Sequence, residues 1–438
     1  MRAAFRFALL ILLLAGAVRI VRYTIHFGQH RLQMDYAAMN TAGEALNAGL
    51  SPYENHVLRD PPIWDGTGFR KHSRFLYPPL AAELFRPLAT MPYHTAKIVW
   101  MAISLAAAGA CLVIPWLLVR PIGVDRMLIA AVVAVWFQPL IYLLERGQID
   151  AITGALVIGA IACSTSNRRA RQILAGALLA LATLLKLHVI YLLPLVLLRR
   201  QWAMLAGYAC GAMLLLITTL ALCGPESLRQ YLVTELPRIS KFGETGTPEM
   251  SLDPAIFNST SERHFNFKDG RQYEDSKVDF AFNATLVRMV SIVLAKIGLQ
   301  VSASILSMIL FVSALVLIFG MMDLKSFQDD RLRQLTLWYL MLTIVLLTAP
   351  LTWSMNAVWL IGVGVLLGGW CERFRSGGPG SLLIATIGLL LIAIPDLTWF
   401  LPRLRVVNVS NELKYVIGEA VLAIGLLGLL RAKPAVES

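Results

Sequence analysis

Apolar runs of about twenty residues recur along almost the whole chain, and this pattern narrows the fold more than any other feature. About that many helical residues cross about 30 Å of hydrocarbon, and in lipid only helices and closed barrels keep every backbone N–H and C=O paired. The runs fall near 5–25, 96–118, 127–144, 149–165, 172–186, 188–198, 202–223, 301–322, 334–349, 355–370, 381–401 and 413–430. They predict an all-α polytopic membrane protein of about twelve transmembrane helices, forming one transmembrane unit over 1–438. With 57% hydrophobic and 15% charged residues, the chain is too apolar for a soluble domain.

A net charge of +12 raises the question of nucleic acid, but Lys and Arg form short clusters between apolar runs instead of one basic stripe. No nucleic-acid partner is implied. The clusters read as orientation signals, because basic residues in short connections stay cytoplasmic. Arg2 and Arg6 set that side, and Arg120 and Arg126, Arg168, Arg169 and Arg171, Arg199 and Arg200, Lys325, Arg331 and Arg333, Arg373 and Arg375, and Arg431 and Lys433 all land on it. Both termini are then cytoplasmic in a multi-pass protein of the cytoplasmic (inner) membrane. Residues 1–23 have the charge and apolar stretch of a secretory signal, but so many later spans favour a retained first helix. The runs at 172–186 and 188–198 are short for two full spans, and with Lys186 and His188 between them they predict a broken or re-entrant pair.

Two long segments, 26–95 and 224–300, fall outside the membrane on the opposite face, and loops of that size often carry function. In the first, Asp35 precedes a stretch, 36–48, patterned as a short amphipathic helix on the membrane surface. Pro52, Pro61, Pro62, Gly66 and Gly68 then break the chain, and Tyr77-Pro78-Pro79 opens another short helix. The second holds a polar stretch, 240–273, before a predicted interfacial helix near 284–298.

The polar residues that interrupt the apolar pattern gather on this outer face. They are Asp35, Arg146, Gln148, Asp150, Lys186, His188, Asn283, Arg288, Trp353 and Asn356, with Glu145 beside them. Charges within or beside the membrane are costly unless paired or wetted, so such a group marks a cavity. Each residue also has a structural reading. Asp35 fits an N-cap, Lys186 and Arg288 fit snorkelling or pairing with Asp150 and Glu145, and Tyr77 and Trp353 fit an interfacial aromatic belt. The remaining histidines and the five cysteines lack metal-ligand spacing, and neither metal nor cofactor is implied.

The same positions carry motifs. Asp35-Tyr36, Gly49-Leu50-Ser51-Pro52-Tyr53 and Tyr77-Pro78-Pro79-Leu80 lie in the first outer segment. Arg146-Gly147-Gln148-Ile149-Asp150, Lys186, Asn283-Ala284-Thr285-Leu286 with Arg288, and Ala349-Pro350-Leu351-Thr352-Trp353 follow. From residue 35 to about 360 the chain resembles glycosyltransferase family 87 of the GT-C superfamily, the polyprenol-phosphate-mannose-dependent mannosyltransferases. It departs where Met355-Asn356 stands in place of histidine, which leaves arabinofuranose or another sugar open beside mannose.

The resemblance implies a GT-C fold and transfer of a sugar, most often mannose, from a polyprenyl-phosphate donor to a glycolipid or glycan acceptor at the membrane lipid. The bond formed is to an acceptor hydroxyl outside the cytoplasmic membrane. Asp35 is then the expected general base. Lys186, Arg288 and Arg146 are expected at the phosphate, and Tyr36, Tyr77, Gln148, Asp150, His188, Asn283, Trp353 and Asn356 around the substrates. A lone base with direct displacement implies inversion. A secondary transporter and a non-catalytic lipid-binding scaffold are the readings from other classes. A transporter would place its polar residues near the midplane and show two related halves.

Overall fold

The computed structural model describes residues 2–30, 33–53, 75–237, 239, 285–322, 330–374, 380–395 and 408–432. Asn283, the 240–273 stretch and the Pro61–Gly68 region lie outside them. Among the described residues, sixteen α-helices carry the fold and no strand occurs. In chain order they are α1 (Arg2–His30), α2 (Met34–Asn47), α3 (Pro79–Glu83), α4 (Tyr93–Val119), α5 (Val124–Trp136), α6 (Gln138–Arg146), α7 (Asp150–Ser164) and α8 (Arg169–Leu185). Then come α9 (Leu193–Leu198), α10 (Trp202–Gln230), α11 (Leu286–Lys296), α12 (Ala303–Gly320), α13 (Arg331–Thr348), α14 (Val363–Arg373), α15 (Gly380–Ala393) and α16 (Asn408–Arg431).

Among the described residues, seven helical stretches are long and apolar enough to cross a membrane: α1, α4, α5 with α6, α10 with its extension to Glu235, α12, the Ser354–Arg373 stretch and α16. Their apolar side chains often face outward, as Phe7, Leu14, Leu214 and Val316 do at 64–67% exposure, which suits a lipid environment. By contrast α13 is apolar nearly all round and buried from Gln334 to Thr348, so it forms the centre of the bundle. Glycines let some helices meet backbone to backbone. A Cβ on Gly176 of α8 would lie 2.0 Å from the Met204 carbonyl oxygen of α10, and one on Gly207 of α10 would lie 2.1 Å from that of Ile173.

One of these crossings is not a single unbroken helix. The 127–144 run divides at Phe137 into α5 and α6, because Pro139 lacks a donor and is tolerated only in a first turn. Arg19 of α1 donates to the Gln138 side chain at this break. The expected break between 172–186 and 188–198 is present. Lys186 is extended at φ −145°, and the chain continues as a 3-10 segment, Leu187–Leu192, into α9.

The helix directions give the bundle two distinct ends. At one end Arg6 pairs with Asp125, Arg126 with Glu372, and Arg373 with Asp330, lacing together the starts of α1, α5 and α13 and the end of α14. The basic pairs 168–169, 199–200 and 331–333 begin or end helices at this same end. The opposite end holds α2, α3, the α6–α7 turn and Lys186.

Candidate active site

The short helix α2 departs from the surface helix expected of its pattern. Tyr36, Ala37, Met39, Asn40 and Ala45 are each 0% exposed, because α2 is clamped beneath α3 and the start of α4 instead of resting on lipid. The Tyr36 ring stacks on Trp100 at 5.8 Å and lies 5.6 Å from Tyr93, while its hydroxyl donates to Asn40 at 3.2 Å. Tyr36 thus anchors the helix within packed aromatics.

The N-cap reading of Asp35 also fails, since Gln33 occupies the cap in the left-handed region and Asp35 lies in the first turn. Its carboxylate, on a residue only 7% exposed, points to the α6–α7 turn. Arg146 grips it through both oxygens, Nε to Oδ2 at 2.8 Å and Nη2 to Oδ1 at 2.9 Å, and Gln148 Nε2 donates to Oδ2 at 2.8 Å. A carboxylate offers about four lone-pair positions. Among the described residues three are filled, and the one left is on Oδ1.

A single glycine permits this approach. Gly147 has φ +70°, and a Cβ there would stand 2.6 Å from that of Tyr36. Its carbonyl accepts from Trp100 Nε1 at 2.8 Å, which ties the turn to α4. Gly147→Ala is expected to cost at least about 1–3 kcal/mol from the left-handed backbone alone, before the clash is added. A lowered thermal midpoint of the detergent-solubilised protein would register it.

From Gln148 the contacts run on to a second ion pair. Tyr77, set by the Tyr-Pro-Pro entry to α3, donates its hydroxyl to Gln148 Oε1 at 2.9 Å. Burial, with Asp150 and Asp35 nearby, holds the Tyr77 phenol well above its usual pKa, so it remains a neutral donor. The Tyr77 ring faces Lys186 Nζ at 5.6 Å, and the Trp353 ring faces it at 5.1 Å. The ammonium stands 3.3 Å from Asp150 Oδ2, at ion-pair distance but out of line for a hydrogen bond.

Asp150 itself is 0% exposed. Its Oδ1 accepts from Asn356 Nδ2 at 2.9 Å, its backbone oxygen accepts from Trp359 Nε1 at 2.8 Å, and Asn356 Oδ1 in turn accepts the Trp353 N–H. His188 packs its ring on Trp359 at 5.2 Å, and its buried Nε2 has no hydrogen-bond partner among the described residues. Arg288, 6% exposed, sits in the first turn of α11, whose start Thr285 caps by accepting the Arg288 backbone N–H at 3.1 Å. This places it at the same end of the bundle.

Of the twelve residues singled out in the sequence, Asp35, Tyr77, Arg146, Gln148, Asp150, Lys186, Trp353 and Asn356 form one connected cluster, with His188 against its floor. The pairing of Lys186 with Asp150 foreseen as the structural alternative is present. Sequence reasoning passed over Trp100, Trp359 and Gln33, the last donating to the Leu144 carbonyl. The tryptophans lie inside apolar runs, where only their indole N–H could have hinted at a polar duty.

A cluster of two carboxylates and two cations, joined by neutral donors at one end of a membrane bundle, can bind an anion and accept a proton within one site. A model of glycosyltransferase family 87 matches residues 75–350, more than half of the chain. The chain belongs to glycosyltransferase family 87. It is therefore a membrane glycosyltransferase, which sets aside the transporter and scaffold readings. The family 87 match takes in Tyr77, Arg146, Gln148, Asp150, Lys186 and Arg288, begins after Asp35 and ends before Trp353. No curated protein matches the chain.

Proposed function

We propose that this family 87 enzyme transfers a sugar, mannose first among the choices, from a polyprenyl phosphate to an acceptor hydroxyl, with Asp35 as general base. The observation that carries this reading is the Asp35 Oδ1 lone pair that no described residue fills, in a site that also holds Lys186 and Arg146. The acceptor oxygen attacks the anomeric carbon as its proton passes to Asp35. The bond from that carbon to the phosphate oxygen breaks, and its electron pair leaves with the polyprenyl phosphate. Lys186 and Arg146 offset the charge that grows on the leaving group. One displacement inverts the anomeric centre.

The ends of the bundle support an orientation. Basic connections gather at the end laced by Arg6, Arg126 and Arg373, which the positive-inside tendency assigns to the cytoplasm. The Asp35 cluster then faces the exterior of the cytoplasmic membrane. A polyprenyl chain can lie along the lipid-facing helices while its phosphate reaches Lys186. Asp150, fully enclosed, acts as a positioning residue that fixes the ammonium.

Purified protein offered polyprenyl-phosphate-mannose, polyprenyl-phosphate-arabinose and a nucleotide-activated mannose tests the reading. Transfer from a polyprenyl phosphate alone is the expected result. Transfer from the nucleotide donor instead would overturn the donor class, and preference for arabinose would overturn the sugar.

A further inference from the structure

At the end of the bundle laced by Arg6, Arg126 and Arg373, five further arginines gather at one corner. Arg168, Arg169 and Arg171 come from the α7–α8 connection and the start of α8, and Arg199 and Arg200 from the connection between α9 and α10. Gln201 Nε2 donates to the Ser164 carbonyl at 3.5 Å and fastens the two connections together. The close approaches at Gly176 and Gly207 hold the first turns of α8 and α10 side by side.

Elsewhere at this end the arginines have carboxylates to meet, as Arg6 has Asp125, Arg126 has Glu372 and Arg373 has Asp330. The corner has none. No Asp or Glu occurs in the sequence between Asp150 and Glu226, and among the described residues none of the five arginines forms an ion pair. The positive-inside tendency accounts for where these residues lie, but not for a guanidinium folded into the protein without a partner. Arg199 Nη1 and Gln201 Oε1 are both buried and lack a hydrogen-bond partner among the described residues, which is costly unless a ligand meets them.

The first of these atoms needs an acceptor and the second a donor, and a phosphate beside a hydroxyl supplies both. Leu174, Leu197 and Trp202, on the same helix ends, are 50–60% exposed, an apolar surface that acyl chains cover and a free anion leaves bare. We propose that this corner binds the headgroup of an anionic phosphoglycerol lipid, its phosphate on Arg199 and Arg200, its glycerol hydroxyl on Gln201 and its acyl chains along α8 and α10. The orientation proposed above makes this a lipid of the cytoplasmic leaflet, on the face opposite the Asp35 cluster. Binding itself depends on neither that orientation nor the transfer reaction.

Native mass spectrometry of the full chain in detergent, mixed with equal amounts of phosphatidylglycerol and phosphatidylcholine, provides the test. A one-to-one adduct favouring phosphatidylglycerol is the expected result. Arg199→Gln/Arg200→Gln should weaken it roughly thirtyfold, from the weight that each basic residue carries at an anionic lipid surface. Arg199 is half-buried, so the exposed pair Arg168→Gln/Arg169→Gln serves as a second variant whose fold should be unaffected, and it too should weaken the adduct. Arg2→Gln/Arg431→Gln removes the same charge from exposed positions at the same end but outside the corner, and should leave the adduct unchanged. Equal adducts with the two lipids, an undiminished adduct in either corner variant, or a matching loss in Arg2→Gln/Arg431→Gln would overturn the proposal. Displacement of the lipid by glycerol phosphate would also overturn it, in favour of a site for a soluble anion.

Discussion

Asp35→Asn is expected to lower the turnover of sugar transfer by about 10²–10⁴-fold, the usual contribution of a positioned general base. The substitution keeps the size of the side chain and one acceptor oxygen, but it removes the group proposed to take the proton. It should also release Arg146, whose fork now spans both carboxylate oxygens at 2.8 and 2.9 Å. A guanidinium no longer shared with a carboxylate would meet the proposed donor phosphate with its full charge, so donor affinity should hold or tighten while turnover collapses. Single-turnover rates measured beside donor binding would show that split. Undiminished transfer by the variant would remove Asp35 from the chemistry, and a matching loss of donor affinity would make it a binding residue instead.

The ion pair between Lys186 and Asp150 gives the second large effect. Their side chains are 10% and 0% exposed, and removing one partner of such a pair strands the other charge. Lys186→Met should therefore cost about 3–5 kcal/mol of stability as well as transfer. The double variant Lys186→Met/Asp150→Asn removes both charges. It should recover most of the thermal stability, since the amide introduced in place of Asp150 still offers an oxygen to Asn356, but it should not recover transfer. Recovery of both would mean that Lys186 serves only to neutralise Asp150.

Much of this arrangement is legible in the sequence, because it follows from patterns with a physical cause. Apolar length predicts the helices, Lys186 and His188 mark the break before α9, and Tyr77-Pro78-Pro79 marks the start of α3. Polarity out of place marks the residues of the cluster. Partner choice within the cluster is not legible, since Arg146 could have served Glu145, Asp35 or a ligand until the left-handed turn at Gly147 fixed its direction. The burial of α2 escapes the pattern for a related reason. A helix with one apolar face looks the same whether that face meets lipid or the aromatic shelf of Phe85, Tyr93 and Trp100. The division at Phe137 is hidden because Gln138 and Pro139 are brief interruptions in an otherwise apolar run.

Asp150 meets Asn356 across 206 positions of sequence, and Asp35 meets Arg146 across 111. A chain still emerging from the ribosome holds the carboxylates long before the last of their partners exists. Until the segment bearing Asn356 and Trp359 has entered the membrane and closed beneath α7, Asp150 lacks two of the contacts that set it in place. Synthesis order thus leaves a half-inserted chain without the finished cluster, because translation must pass Trp359 before Asp150 can gain these two contacts.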